Sequence, residues 1–144
     1  MAIDYYEVVE RTPTVEEYLR MRAVVDWQPF NESMAATALA NSLYAVSVLY
    51  QGEVIGCGRV VGDGAAFFYL QDVVIHPAFQ RKGLGKRLVA ALMNYIRLHA
   101  YPNTTVGLFA APGAADFYLQ FGFEVCSPNR PGMMQIWQES RHSP

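Results

Sequence analysis

The chain has 144 residues, 52% of them hydrophobic and 17% charged, and a formal net charge of −2 at pH 7. That length predicts one domain, residues 1–144, with a sizeable core, and the composition excludes a disordered chain. The small negative net charge argues against nonspecific nucleic-acid binding, and no apolar run reaches the roughly 18 residues that suggest a membrane span.

In chain order, Tyr5 to Glu10 is β-prone and predicts a first strand. Thr12-Pro13-Thr14 offers cap chemistry with Glu16 and Glu17 in the first turn, so a helix should run to about Asp26. The segment Asp26-Trp27-Gln28-Pro29-Phe30-Asn31 breaks it, and a short helix from Glu32 to Ala40 follows. Leu43 to Tyr50, Val54 to Val61 and Ala66 to Ile75 read as three strands joined by tight turns, an antiparallel meander. From Gly83 to about Ala100, Leu84, Leu88, Leu92 and Tyr95 recur at helical spacing and mark a buried face. Thr105 to Phe109 predicts a strand, Gly113 to Gln120 a helix, and Phe123 to Cys126 and Met133 to Trp137 two final strands. The tail from Glu139 is expected to fray.

Two cysteines, Cys57 and Cys126, and three scattered histidines give no metal-ligand spacing, so no metal is expected. The beginning Met-Ala-Ile-Asp-Tyr-Tyr-Glu lacks a signal-peptide pattern, and a cytoplasmic location with reduced thiols is the expectation.

The densest chemical signal is Gln80-Arg81-Lys82-Gly83-Leu84-Gly85-Lys86-Arg87, between an apolar run ending Val73-Val74-Ile75-His76-Pro77 and a helix. The first N–H groups of a helix have no internal partner and carry the positive end of its dipole, so a strand–turn–helix junction of this kind holds anions. Glycines admit a phosphate close to the backbone. Arg81, Lys82, Lys86 and Arg87 bring four of the chain's eleven Lys and Arg residues to that place. The Walker pattern is absent, and the dinucleotide fingerprint lacks its third glycine.

Gln-x-x-Gly-x-Gly after a strand ending in Val-x-x-Pro resembles the acyl-CoA pyrophosphate loop of the GNAT N-acetyltransferase superfamily. Phe117-Tyr118-Leu119-Gln120-Phe121-Gly122-Phe123 resembles the Phe-Tyr-x-x-x-Gly-Phe segment that these enzymes carry near the C-terminus. The resemblance is specific from about Leu70 to Phe123. It implies an α/β fold with a mixed, mostly antiparallel sheet of six to seven strands and helices on both faces. It also implies acetyl-CoA as co-substrate and N-acetylation by direct attack in a ternary complex.

By the same resemblance, Gln80, Arg81, Lys82, Gly83, Leu84, Gly85 and Lys86 would hold the pyrophosphate, and the backbone of Val73, Val74 and Ile75 the pantetheine arm. Tyr118 maps onto a general acid toward the leaving thiolate. Asp72 is the carboxylate in the region where some relatives carry a base; it either removes a proton through water or satisfies backbone at a bulge. Strand alternation would place Asp72 on one face with Leu70, and Tyr69 with Gln71 on the other. One departure from the family is Ala111, where an asparagine often stands seven positions before the tyrosine.

Trp27, Phe30, Tyr69 and Met133 are candidate walls of the acceptor pocket, with core or dimer surface as their other reading. Few carboxylates lie within reach, so a small apolar or aromatic amine is the expected partner, with no nucleic acid or membrane; a homodimer is open. Two alternatives stand beside this reading: a non-catalytic CoA-binding regulator, and an acetyltransferase of protein N-termini or lysines.

Overall fold

The structure, a computed structural model, describes residues 5–138. The chain divides into two compact units at Phe109/Ala110. In the first, β1 (Tyr6–Glu10), α1 (Val15–Val24), α2 (Glu32–Ala40), β2 (Tyr44–Tyr50), β3 (Glu53–Gly62), β4 (Phe67–Ile75), α3 (Leu84–His99) and β5 (Thr105–Gly107) follow in order. The sheet order is β1-β2-β3-β4-β5; β1 to β4 form an antiparallel meander, and β5 lies parallel to β4.

Local chemistry sets the helix starts. Thr14 Oγ1 accepts the Glu17 N–H while Glu17 Oε1 accepts the Thr14 N–H, a capping box that begins α1. Asn31 Oδ1 accepts the Met34 N–H and begins α2. The Asp63 carboxylate gathers the N–H groups of Ala65, Ala66 and Phe67 and so fixes the turn into β4; these bonds hold the carboxyl below its usual range.

Helices cover both faces of the sheet. On one, α3 presents Leu84, Leu88, Val89, Leu92 and Ile96, all buried. Gly58 of β3 lets this helix come close: a Cβ there would lie 3.0 Å from Leu92 Cδ1. On the other, Met21 of α1 packs with Val54, Cys57 and Val74, and Tyr18 of α1 packs with Ala35 and Leu39 of α2. Among the described residues, no helix is long and apolar enough to cross a membrane.

The second unit contains α4 (Ala115–Leu119). The two final strands expected at Phe123–Cys126 and Met133–Trp137 are not formed, so the described sheet has five strands rather than six or seven. Val125, Met133 and Trp137 are 79%, 85% and 70% exposed. β-prone composition makes a segment ready to pair but supplies no partner, and a strand exists only through its ladder. Within the expected loop only a turn closes, Arg130 N–H to Ser127 C=O at 2.9 Å. The expected fraying from Glu139 lies outside the described residues.

Leu88 is fully buried between α3 and the sheet. Leu88→Ala should therefore lower unfolding free energy by about 2–5 kcal/mol in urea titration. A loss under about 1 kcal/mol would mean that this interface collapses around the cavity.

Candidate active site

The site begins with an interrupted edge. β5 pairs with β4 only over Phe67–Tyr69, opposite Thr105–Gly107, while β4 runs on to Ile75. The His76 N–H bonds the Ile55 carbonyl at 2.8 Å on the β3 side. Antiparallel alternation then turns the backbone groups of Val74 toward β3 and those of Val73 and Ile75 toward the open edge. The side chains of Val74 and Ile75 are core.

The interruption coincides with a bulge. Cys57 opposes Val74 and Arg59 opposes Gln71, so the single residue Gly58 faces both Asp72 and Val73. Asp72 takes φ 56°, the left-handed conformation that one class of bulge places at its first residue. The expected alternation fails here as a result. Phe68, on the face of Leu70, meets Tyr95 of α3 edge-on, whereas Asp72 is rotated to the opposite face and meets α1.

Beyond β4, Pro77–Phe79 forms a 3-10 turn, and His76 Nδ1 accepts the Ala78 N–H at 3.0 Å. That bond uses the imidazole in the turn. Gln80 Nε2 donates back to the Ile75 carbonyl at 2.9 Å. Arg81 (φ 65°) and Gly83 (φ 78°) are left-handed, and Gly83 is the N-cap of α3 with no side chain capping it. The first bond of this helix start is Arg87 N–H to Gly83 C=O, which leaves the N–H groups before it without an intrahelical acceptor. A Cβ on Gly83 would meet nothing within 4 Å, so the turn stands open. Arg81, Lys82 and Lys86 are exposed and form no ion pair among the described residues. Arg87 turns away to the Tyr6 carbonyl at 3.3 Å. The turn therefore fits a pyrophosphate: unfilled donors, three free cations and a left-handed glycine.

Asp72 sits at the bulge, but arginines hold it rather than backbone. Its Oδ1 accepts from Arg22 at 2.8 Å; its Oδ2 accepts from Arg59 Nε and from the Tyr18 hydroxyl, both at 2.7 Å. Arg22 also donates Nε and Nη2 to the Gln28 carbonyl at 3.2 and 2.8 Å. Its guanidinium carbon lies 3.6 Å from the Phe30 ring centre and 5.5 Å from that of Trp27. Arg59 reaches the Ala38 carbonyl and Ser42 Oγ. Burial, then the bond to Asp72, pushes the Tyr18 phenol up to about 12. Burial likewise pushes the Cys57 thiol up to about 12, which removes it as a nucleophile near neutral pH.

Sequence reasoning missed Arg22 and Arg59. The signal was present: Tyr18, Met21 and Arg22 share one helix face, and Arg59 interrupts the apolar run from Val54 to Val61. A cation at a core position needs a buried anion.

Of the expected acceptor walls, Trp27 and Phe30 come together. With Leu19, Arg22, Asp26 and Pro29 they help line a cavity of about 360 Å³. Tyr69 does not line it; its ring covers Gly107, where a Cβ would lie 3.1 Å from the ring. Met133 is exposed in the second unit.

In that unit, Pro112-Gly113 forms a turn closed by Ala114 N–H to Ala111 C=O at 2.9 Å, with Gly113 at φ 78°. Tyr118 follows in α4, its ring edge-on to Phe117 and Phe123 at 5.0 and 6.0 Å. Phe117, Phe121 and Phe123 are half-buried. Burial raises the Tyr118 phenol above its usual value, and its hydroxyl has no hydrogen-bond partner among the described residues.

Residues 12–132 match a family model described as an acetyltransferase (GNAT) domain. Over 90 residues the chain is 37% identical to an uncharacterized N-acetyltransferase, ycf52, of Gracilaria tenuistipitata var. liui, covering 60% of this chain and 48% of that protein. Over 121 residues it is 32% identical to the histone acetyltransferase TAP1 of Glycine max, covering 76% and 51%. The chain spans about half the length of such curated relatives. The crystal structure of SA2161, a protein of unknown function from meticillin-resistant Staphylococcus aureus, superposes with a TM-score of 0.87 at 28% identity, covering 92% of this chain and all of that one. The family match runs through the interrupted strand, the glycine turn and the Tyr118 helix alike, and the chain belongs to the GNAT acetyltransferase family.

Proposed function

We propose that this chain is an acetyl-CoA-dependent N-acetyltransferase acting on the primary amine of a small apolar or aromatic acceptor, by direct attack in a ternary complex. The observation that carries the acceptor class is the cavity that Trp27 and Phe30 help wall, which lies on the α1 side of the sheet. Arg22, which lines the cavity, bonds Asp72 at the bulge of β4.

Backbone groups of Val73 and Ile75 hold the pantetheine arm, and the turn from Gln80 to Lys86 holds the pyrophosphate. Bound acetyl-CoA supplies an activated acetyl carbonyl and a thiolate leaving group. The amine nitrogen forms the new bond as the C–S bond breaks, Tyr118 gives its proton to the departing sulfur, and the proton lost by the acylated nitrogen returns through solvent to the Tyr118 phenolate. A phenol with no competing acceptor, kept protonated by burial, suits that role. Direct attack agrees with Cys57, whose buried thiol is protonated.

Asp72 has donors on both oxygens, which supports a positioning role over that of a base. The amine then reacts from its own neutral fraction. A relative bears the name histone acetyltransferase, but a cationic protein tail calls for several carboxylates, and Asp26 is the one that lines this cavity. The small-amine reading is therefore preferred. A thiol-release screen of acetyl-CoA against amines and a histone-tail peptide tests it. Turnover best with arylalkylamines is expected; the peptide turning over faster than every amine would reverse the assignment, and no turnover with tight CoA binding would favour a regulator.

Gly83→Asp places a carboxylate where phosphates sit and should abolish CoA binding in calorimetry with the fold intact. Arg81→Ala and Lys86→Ala should each weaken it by about 1–2 kcal/mol, and added salt should weaken the wild type. Unchanged affinity in Gly83→Asp would move the site elsewhere.

Tyr118→Phe keeps the ring and loses the proton. Turnover should fall about 10²–10⁴-fold with acetyl-CoA affinity retained. The phenol acts while protonated, so the wild-type rate should decline as pH rises through its elevated pKa, and this limb should vanish in the variant. Wild-type turnover with an unchanged pH profile would make Tyr118 a packing residue.

Asp72→Asn strands two buried guanidinium groups and should cost about 3–5 kcal/mol in denaturant titration. Where the variant is folded, kcat should stay within about tenfold of wild type, below the usual loss of a general base. A fall of about a thousandfold in kcat with stability intact would restore Asp72 as the base.

A further inference from the structure

The segment between α1 and α2 carries Trp27 and Phe30, yet it has no regular secondary structure of its own. Trp27 packs on the Met21, Val54, Cys57 and Val74 cluster and Phe30 on the Tyr18, Ala35 and Leu39 cluster, and one side chain ties the segment to the sheet. Arg22 donates twice to the Gln28 carbonyl, lies flat against Phe30, approaches Trp27, and fastens all of these to Asp72 on β4. It is 8% exposed, and it lines the cavity on the side of Leu19 and Ala23 of its own helix.

We propose that Arg22 is a positioning residue that sets the acceptor wall: it clasps segment 27–30 to the bulge of β4, so that acceptor affinity depends on it and CoA affinity does not. This rests on the reading of the Trp27–Phe30 cavity as the acceptor pocket. The chemistry is particular to arginine. A planar fork can lie against a ring while its edge donates to a carbonyl and a carboxylate at once. Lysine keeps the charge toward Asp72 but offers one ammonium, which cannot serve the carbonyl, the carboxylate and the ring together. Among the described residues, the side-chain hydrogen bonds of the pyrophosphate turn run to Ile75, His76 and Tyr6 and not to Arg22 or segment 27–30.

The test compares wild type, Arg22→Lys and Trp27→Ala, with acetyl-CoA and 2-phenylethylamine as the probe pair. Arg22→Lys should raise the amine KM by about tenfold, the scale of one lost hydrogen bond, with the CoA dissociation constant within about twofold of wild type. In a Trp137→Phe background Trp27 is the remaining tryptophan, and its quenching by acrylamide should increase in Arg22→Lys without any acceptor present. Should Arg22→Lys not fold, Phe30→Leu, which removes the ring under the guanidinium and keeps an apolar side chain against α2, should raise the same quenching. Unchanged quenching in the folded variant, or CoA affinity falling in step with the amine's, overturns the clasp. If Trp27→Ala leaves the amine KM unchanged, or the amine is not turned over at all, the acceptor reading fails and takes the affinity claim with it, while the quenching still decides whether Arg22 orders the wall.

Discussion

The first unit depends on a single carboxylate. Asp72 is rotated by a bulge onto the α1 face, where it meets two guanidinium groups and a phenol, all largely buried. Taking such ions out of water costs several kcal/mol each, and only good geometry with further hydrogen bonds offsets it. Here those conditions hold: Arg22 also serves the Gln28 carbonyl, and Arg59 the Ala38 carbonyl and Ser42. Among the described residues no buried side-chain polar atom lacks a partner. The cluster thus joins α1, α2, the segment between them, β3 and β4 at one point. It specifies a relative placement that apolar packing alone would leave freer.

The same strand borders the proposed cofactor site. Where β4 gains its extra residue, it also outruns β5, and its outward backbone groups at Val73 and Ile75 are left unpaired by the sheet. An unpaired edge is ordinarily a liability for aggregation. Here the free edge leads directly into the 3-10 turn and the glycine start of α3, so donors for an extended arm and donors for phosphate lie in sequence along one path. One local irregularity lies between the proposed cofactor edge and the proposed acceptor wall.

Much of this was legible in the chain. The element order of the first unit, the buried stripe of α3 and the glycine turn at its start were all readable, because each rests on short-range rules: periodicity, capping and glycine geometry. Gly83 is the clearest case, since a glycine at a strand-to-helix junction can take the left-handed N-cap conformation found here. The face of Asp72 was not legible. Alternation predicts it from its neighbours, and a bulge reverses alternation through pairing with a strand some fifteen residues away, at Cys57 and Arg59. The same limit explains the final segment, where β-prone residues at Val125 and Ile136 carry no ladder.

By itself, then, the sequence determined which turn and which phenol the proposed reaction would use, since a glycine turn, a run of cations and the Phe-Tyr motif are chemistries written in adjacent residues. Only the tertiary structure decided what Asp72 does and what stands around Trp27 and Phe30. Arg22, Arg59 and Asp72 are distant in the chain, and a buried charge takes its role from the partners that folding brings to it.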